Sequence, residues 1–304
     1  MIIVFGSINV DLIARVPRLP RPGETLRGRT FSMLPGGKGA NQALGAVRAG
    51  ARVRLCGCVG RDAMASIALR ALRAEGVDVD GVRESDATTG VALVHVDDAG
   101  ENCITVVAGA NAHAHAAQVP DALLTAGATV VMQLEVPSGE VAALARRARQ
   151  RGARVILNAA PALALPAGLL EDVDVLAVNE AEAIALAGGV GAEDLRTFCL
   201  RLATAERAVV VTRGAMGVLY SWNGKIGEQA APRIDVVDSV GAGDAFNAAL
   251  AAALDRGDDF EAGVREGVAA GSLACLRAGA QDALPMRDAI VRVASTLPRQ
   301  CDVG

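Results

Sequence analysis

From residue 128 onward, short β-branched runs alternate with amphipathic stretches. ATVVMQLE (128–135), ARVILN (153–158), VDVLAVN (173–179) and RAVVVT (207–212) are nearly continuous apolar runs of strand length. SGEVAALARRARQRG (138–152), stopped by a glycine, and EAEAIALAGG (180–189) carry helical periodicity between them. Strands that are apolar on both faces and separated by helices predict a parallel sheet covered on both sides. The front of the chain adds core strands at IIVFG (2–6) and RVRLCGCVG (52–60), and a helix at KGANQALGAVRAG (38–50). Four further segments, DLIARV (11–16), TLRGRTFSM (25–33), TGVALVHV (89–96) and ENCITVV (101–107), are strand-like with no helix between them. Their partial alternation and the turn signal DDAG (97–100) predict a small antiparallel sheet projecting from the main body.

Composition narrows the class. The 304 residues are 52% hydrophobic and 21% charged, enough to bury a large core and too apolar for a disordered chain. No apolar run reaches the ~18 residues of a membrane span. The start, MIIVFGSINVD, has no basic leader and reads as a first buried strand rather than a signal peptide. Thirty basic against 34 acidic residues give a net charge of −4, and aromatics are 2%. Both facts argue against a nucleic-acid binder, which needs basic patches and stacking platforms. Six cysteines do not form a disulfide framework. Cys56, Cys58, Cys103, Cys199 and Cys275 read as buried small residues in apolar surroundings, and His113 and His115 as a helix entry rather than a metal pair. The expectation is a chain from a reduced, cytoplasmic compartment.

In open parallel sheets ligands sit beyond the carboxyl ends of the strands. Several apolar runs end there in a polar residue: Glu135, Asn158, Asn179 and Thr212, with Ser7, Asn9 and Asp11 following the first strand. Two glycine-rich segments are sharper. Pro35-Gly36-Gly37-Lys38-Gly39-Ala40-Asn41 runs into a helix, and its N-terminal N–H groups can face an anion or a hydroxyl oxygen. It is not a Walker A loop, because Gly39 follows Lys38. Lys38 is also one of only two lysines in the chain, the other being Lys225. Asp238-Ser239-Val240-Gly241-Ala242-Gly243-Asp244 precedes a second helix and lacks the G-x-G-x-x-G dinucleotide fingerprint. Two readings stand: Asp244 is an ordinary acidic residue favoured by the helix dipole, or the N–H groups of Ala242, Gly243 and Asp244 form an anion hole for a transferring phosphoryl group, with Asp244 in the first turn to take a proton from an attacking hydroxyl.

On these segments the chain resembles the ribokinase-like sugar kinase family. GSINVD, PGET, GGKGANQA, TGVALVHVDDAGEN, GANA, MQLE, LNAAPA, NEAEA, TRGAMG, VDSVGAGDAFNAAL and RAGAQDALP fall in the family's order over nearly the whole chain. The resemblance implies one three-layer α/β/α sandwich over residues 1–304. A β-sheet lid, inserted from about 11–33 and 89–107, would double as a homodimer interface. It implies ATP-dependent phosphorylation of D-ribose at O5. Asn9, Asp11, Gly37, Lys38, Gly39, Asn41 and Glu135 would hold the sugar. Asp244 would be the general base, with Gly241, Ala242 and Gly243 as the anion hole. Asn179, Thr212, Arg213, Gly214 and Gly217 would contact ATP, and Glu182 would place Mg2+ through water. Asp238 with carbonyls of Val240, Ala274, Arg277 and Gly279 would hold activating K+. Three positions depart from the family pattern. Val268 stands where a polar side chain often lies near adenine, Ala159 replaces a usual proline in LNAAPA, and Ala283 offers no hydroxyl to a cation.

Rival readings are a same-fold kinase for deoxyribose, a ketohexose or a nucleoside, and a non-catalytic sugar-binding regulator. The aromatic-poor lid argues against a nucleoside. The intact Gly241–Asp244 segment argues against a sensor, which needs neither base nor anion hole.

Overall fold

The structure of the protein is a computed structural model describing residues 1–191, 193–298 and 301–302. Its elements, in chain order, are β1 (Ile2–Phe5), β2 (Asn9–Arg15), β3 (Thr30–Gly36), α1 (Lys38–Arg48), β4 (Val53–Gly60), α2 (Ala63–Ala74), β5 (Asp78–Ser85), β6 (Gly90–Val96) and β7 (Asn102–Val107). They continue with β8 (Thr129–Met132), α3 (Ser138–Gln150), β9 (Arg154–Asn158), β10 (Val175–Asn179), α4 (Glu180–Leu186), α5 (Leu195–Leu202) and β11 (Ala208–Thr212). The chain ends with β12 (Val218–Trp222), β13 (Lys225–Gln229), α6 (Ala242–Arg256), α7 (Phe260–Ala274), α8 (Arg287–Thr296) and β14 (Cys301–Asp302).

The main sheet has the order β14-β13-β12-β11-β10-β9-β8-β1-β4-β5. It is parallel from β11 to β5, and β12, β13 and β14 are added antiparallel. Both faces are buried, and the period-2 geometry of a strand sorts its side chains between them. Ile2 and Val4 enter the core shared with α1, α6 and α7, while Ile3 and Phe5 enter the core shared with α3 and α5. The same division holds for Val210 against Val209 and Val211 in β11. Helices therefore cover both sides of the sheet, the three-layer arrangement expected.

The second sheet has four strands, in the order β3-β2-β6-β7, and is mixed rather than antiparallel as expected, because its central strands β2 and β6 run parallel. β3 differs from its expected span: residues 25–29 are not strand, and the strand runs on to Gly36, directly into α1. Register also divides the lid's apolar residues. Leu93 pairs with Leu12 and Thr105, whereas Ile104 and Val106 pair with Val94 and Ala92, on the face that carries Asp11. Every residue of β7 is exposed. That corrects the expectation for Cys103, which lies on this outer strand and is exposed, whereas Cys56, Cys58 and Cys199 are buried as expected and Cys275 is half-buried. No helix among the described residues is long and apolar enough to cross a membrane. No metal-binding cluster of three or more His, Cys, Asp or Glu occurs among them.

Candidate active site

The polar residues at the strand ends converge on one crest of the main sheet. Asn9 opens β2 and is 3% exposed, its Oδ1 accepting from Asn111 Nδ2 at 2.7 Å. Asn111 also bonds both backbone groups of Ile8, at 2.9 and 3.2 Å, so one amide fixes the exit of the chain from β1. Gly37 turns the chain from β3 into α1 at φ +90°, and a side chain there would lie 2.7 Å from the backbone nitrogen of Asn9. Only glycine satisfies both the angle and the approach. Glu135 accepts from the Ser7 hydroxyl and, at 3.2 Å, from the Lys38 N–H. The Gly39 N–H reaches the Ser7 hydroxyl instead, at 3.4 Å.

These groups perturb one another. Burial pushes the Asp11 carboxyl up to about 6, and the charges of Glu135 and Asp244 push in the same direction. Burial works against charging Lys38, but Asp244, Glu135 and Glu182 together outweigh it and hold the ammonium above its ordinary pKa. Burial, with a contribution from Asp244, likewise raises Glu182. Three carboxylates thus surround one cation in a site that water reaches only partly.

Asp244 lies in the first turn of α6 and is 7% exposed. Asn41 Nδ2 donates to its Oδ2 and Gln42 Nε2 to its Oδ1, each at 2.9 Å. Asn41 Oδ1 has no partner among the described residues and remains free to accept a hydroxyl. Gly241, at φ +78°, precedes the helix. The Ala242 N–H leans to the Ser239 carbonyl at 3.3 Å. The N–H groups of Gly243 and Asp244 belong to a turn whose donors no intrahelical carbonyl reaches. A Cβ at Gly243 would meet nothing within 4 Å, so this helix end faces open space.

That space is a cavity of about 200 Å3 bordered by Lys38, Asn158, Asn179, Glu182, Thr212, Gly241, Gly243 and Asp244. Asn179 and Glu182 cap α4 reciprocally, Glu182 N–H to Asn179 Oδ1 and Asn179 N–H to Glu182 Oε2, both 2.8 Å. Thr212 borders the cavity, whereas Arg213 turns aside to Glu228 at 3.5 Å. Gly214 and Gly217 close the turn into β12, with Arg213 N–H on the Gly217 carbonyl at 2.7 Å. Asp238 accepts from the N–H groups of Val240, 3.0 Å, and Gly279, 2.9 Å, tying the loop before α6 to the segment after α7. The Ala274 carbonyl accepts from Arg277 N–H at 3.4 Å in the turn that ends α7. Val268 is 4% exposed and packs within the apolar core. A larger hollow of about 710 Å3, beside Trp222 and Phe260, lies at the opposite end of the strands and contains none of the expected site residues. The smaller, polar cavity brings together Lys38, Asn179, Glu182, Thr212, Gly241, Gly243 and Asp244, while Asn9, Asp11, Gly37, Gly39, Asn41 and Glu135 are not among the residues that line it.

Nothing in the sequence assigns a role to Asn111, Ser7, Gln42 or Gln133. GANA and GANQ stand in the motifs quoted above, but only the fold shows that their amides point at Asn9 and Asp244.

A model of the pfkB family of carbohydrate kinases matches residues 1–287. The ribokinase of Bacillus subtilis is 36% identical, over 97% of this chain and 99% of that protein. That of Haemophilus influenzae is 35% identical, over 93% of this chain and 95% of that one. Among solved structures, the ribokinase of Thermotoga maritima superposes with a TM-score of 0.88 at 30% identity, covering 97% of this chain and 99% of that chain. Arabidopsis thaliana ribokinase complexed with ribose and ATP gives 0.85 at 32%, covering 96% and 98%. The chain belongs to the pfkB family of carbohydrate kinases, ATP-dependent phosphotransferases with an alcohol group as acceptor.

Proposed function

We propose that the protein transfers the γ-phosphoryl group of ATP to O5 of D-ribose, giving ribose 5-phosphate and ADP. The observation that carries this is the placement of Asp244. Its carboxylate, held by Asn41 and Gln42, stands at the open N-terminus of α6, in electrostatic reach of Asp11 and Lys38. Asn9, Asp11, Gly37, Lys38, Gly39, Asn41 and Glu135 form the sugar cage. Carboxylate and amide oxygens accept from the hydroxyls of a polyol, while N–H groups donate to them. Asp244 takes the proton of the primary hydroxyl as its oxygen attacks the γ-phosphorus. Charge developing on the transferring group meets Gly241, Ala242 and Gly243 at the positive end of α6, together with the Lys38 ammonium. Asn179 and Thr212 line the nucleotide side, and ATP would also meet the turn of Arg213, Gly214 and Gly217 that follows Thr212.

Mg2+ fits beside Glu182. This carboxylate is 8% exposed, with its pKa raised by burial, and a hydrated cation relieves such a group. Mg2+ neutralises phosphate charge when it arrives with ATP. Asp238 with the carbonyls of Val240, Ala274, Arg277 and Gly279 would hold K+, which would supply positive potential near the anion hole. Ala283 leaves that set without a side-chain hydroxyl. A second copy of the chain covers the lid. Unpaired thiols at Cys56, Cys58, Cys103, Cys199 and Cys275 support a reduced, cytoplasmic setting.

The test is a screen of pentoses, hexoses and nucleosides with ATP, run with Asp244→Asn in parallel. Ribose should give the highest kcat/KM, and the variant should lose about 10²–10⁴-fold in kcat. A higher kcat/KM for a nucleoside or hexose overturns the sugar assignment, and turnover retained by Asp244→Asn overturns the base.

A further inference from the structure

Behind the Asp244 carboxylate runs a chain of buried amides that neither sugar nor nucleotide binding accounts for. Gln42 is 1% exposed and Gln133 not at all. Gln42 Nε2 donates to Asp244 Oδ1 at 2.9 Å and to Asn158 Oδ1 at 3.1 Å, and its Oε1 accepts from Gln133 Nε2. Asn158 Nδ2 in turn donates to the Ala177 carbonyl at 3.2 Å. Gln42 therefore uses both amide protons and its oxygen. The reversed amide would set oxygen against two oxygens and NH2 against NH2, so the three partners determine its orientation. Four elements meet here: α1 supplies Gln42, the end of β8 leads to Gln133, β9 ends in Asn158 and the first turn of α6 carries Asp244.

The charges facing Asp244 explain why a neutral donor is used. Lys38, Asp11 and Glu182 are the charged groups in electrostatic reach of Asp244. An amide N–H bonds a carboxylate without adding a second charge beside Lys38. It also leaves the remaining lone pairs of Asp244 for the acceptor hydroxyl. We infer that Gln42, oriented by Gln133, is a positioning residue for the reaction: it fixes the Asp244 side chain and stabilises its ionised form while touching neither substrate. This rests on the reading of Asp244 as the base.

The experiment compares Gln42→Met, Gln133→Met and Asp244→Asn in the full-length protein, with thermal unfolding as a check on folding. For Gln42→Met, kcat should fall about 10- to 100-fold, the effect of removing one hydrogen bond to a charged group. KM for ribose and for ATP should stay within about threefold, because the lost bond serves the transition state. Losing a donor favours the protonated carboxyl, so the acidic limb of the kcat–pH profile should move up by about one unit. Gln133→Met touches no atom of Asp244 and should shift kcat and the limb the same way by less. If Gln42→Met does not fold, Gln133→Met decides. Wild-type kcat and an unmoved limb in a folded variant overturn the inference, as does a rise in KM with kcat unchanged. Turnover retained by Asp244→Asn removes the base itself. An inactive Asp244→Asn beside an unaltered Gln42→Met removes only the positioning role.

Discussion

The Asp11 carboxyl titrates at about 6 because folding buries it beside Glu135 and Asp244. The free enzyme therefore carries a destabilising charge above that pH. Between the unfolded value near 4 and the folded value near 6, the folded state binds more protons, so stability from this group is present at low pH and lost as pH rises through 6. Asp11→Asn should raise Tm at pH 7.5 by roughly 2–5 °C, taking the cost as about 1–2 kcal/mol after allowing for the solvent that reaches the side chain. At pH 4 the gain should vanish. KM for ribose should rise about tenfold or more, because a hydroxyl loses its charged acceptor. Equal Tm changes at both pH values in differential scanning calorimetry would show that the buried charge is not the cause.

The two helices that meet at Asp244 are held apart by the width of one glycine. A Cβ at Gly45 in α1 would lie 2.8 Å from the Ala248 Cβ in α6, and this crossing sets the reach of Asn41 and Gln42 to the carboxylate. Gly45→Ala should cost about 1–3 kcal/mol by overpacking and lower kcat through misalignment, although alanine is the better helix former. Ala248→Gly added to it removes the clash and should restore kcat. Failure of the double variant to recover would show that the crossing does not govern alignment. Elements with high contrast are legible in the sequence. The apolar runs of β1, β8, β9, β10 and β11 and the glycine-flanked helices α1 and α6 stand out because burial on both faces leaves no polar interruption. α7 does not stand out, since Gly263, Gly267 and Gly271, which pack against Leu250, Phe246 and the Ala242 carbonyl, weaken a helical reading of the sequence. β5, with the polar sequence DVDGVRES on the sheet edge, is hidden for the opposite reason. At the site, residue types are readable but pairings are not. Asn41 has a sugar-binding character in sequence, and only the crossing of α1 over α6 reveals that one half of its amide is committed to Asp244.

At the scale of the molecule, the lid leaves Phe31, Met33, Leu93, Val107, Ile104 and Val106 between 38% and 64% exposed on its two faces. A thin sheet with apolar residues on both sides and an exposed outer strand is completed by a partner. Sedimentation equilibrium at micromolar concentration should give twice the chain mass of 30.9 kDa, and a monomer alone would remove the lid-mediated dimer. The opposite end of the sheet has its own practical consequence. The chain's single tryptophan, Trp222, sits there, its ring 5.1 Å from that of Phe260, behind the strand starts rather than at the crest where sugar and nucleotide meet. Its emission is thus a reporter of the scaffold. Titrating ribose or ATP should leave the spectrum unchanged, while unfolding the variants above should shift it to the red, so one chromophore separates loss of the fold from loss of the ligand.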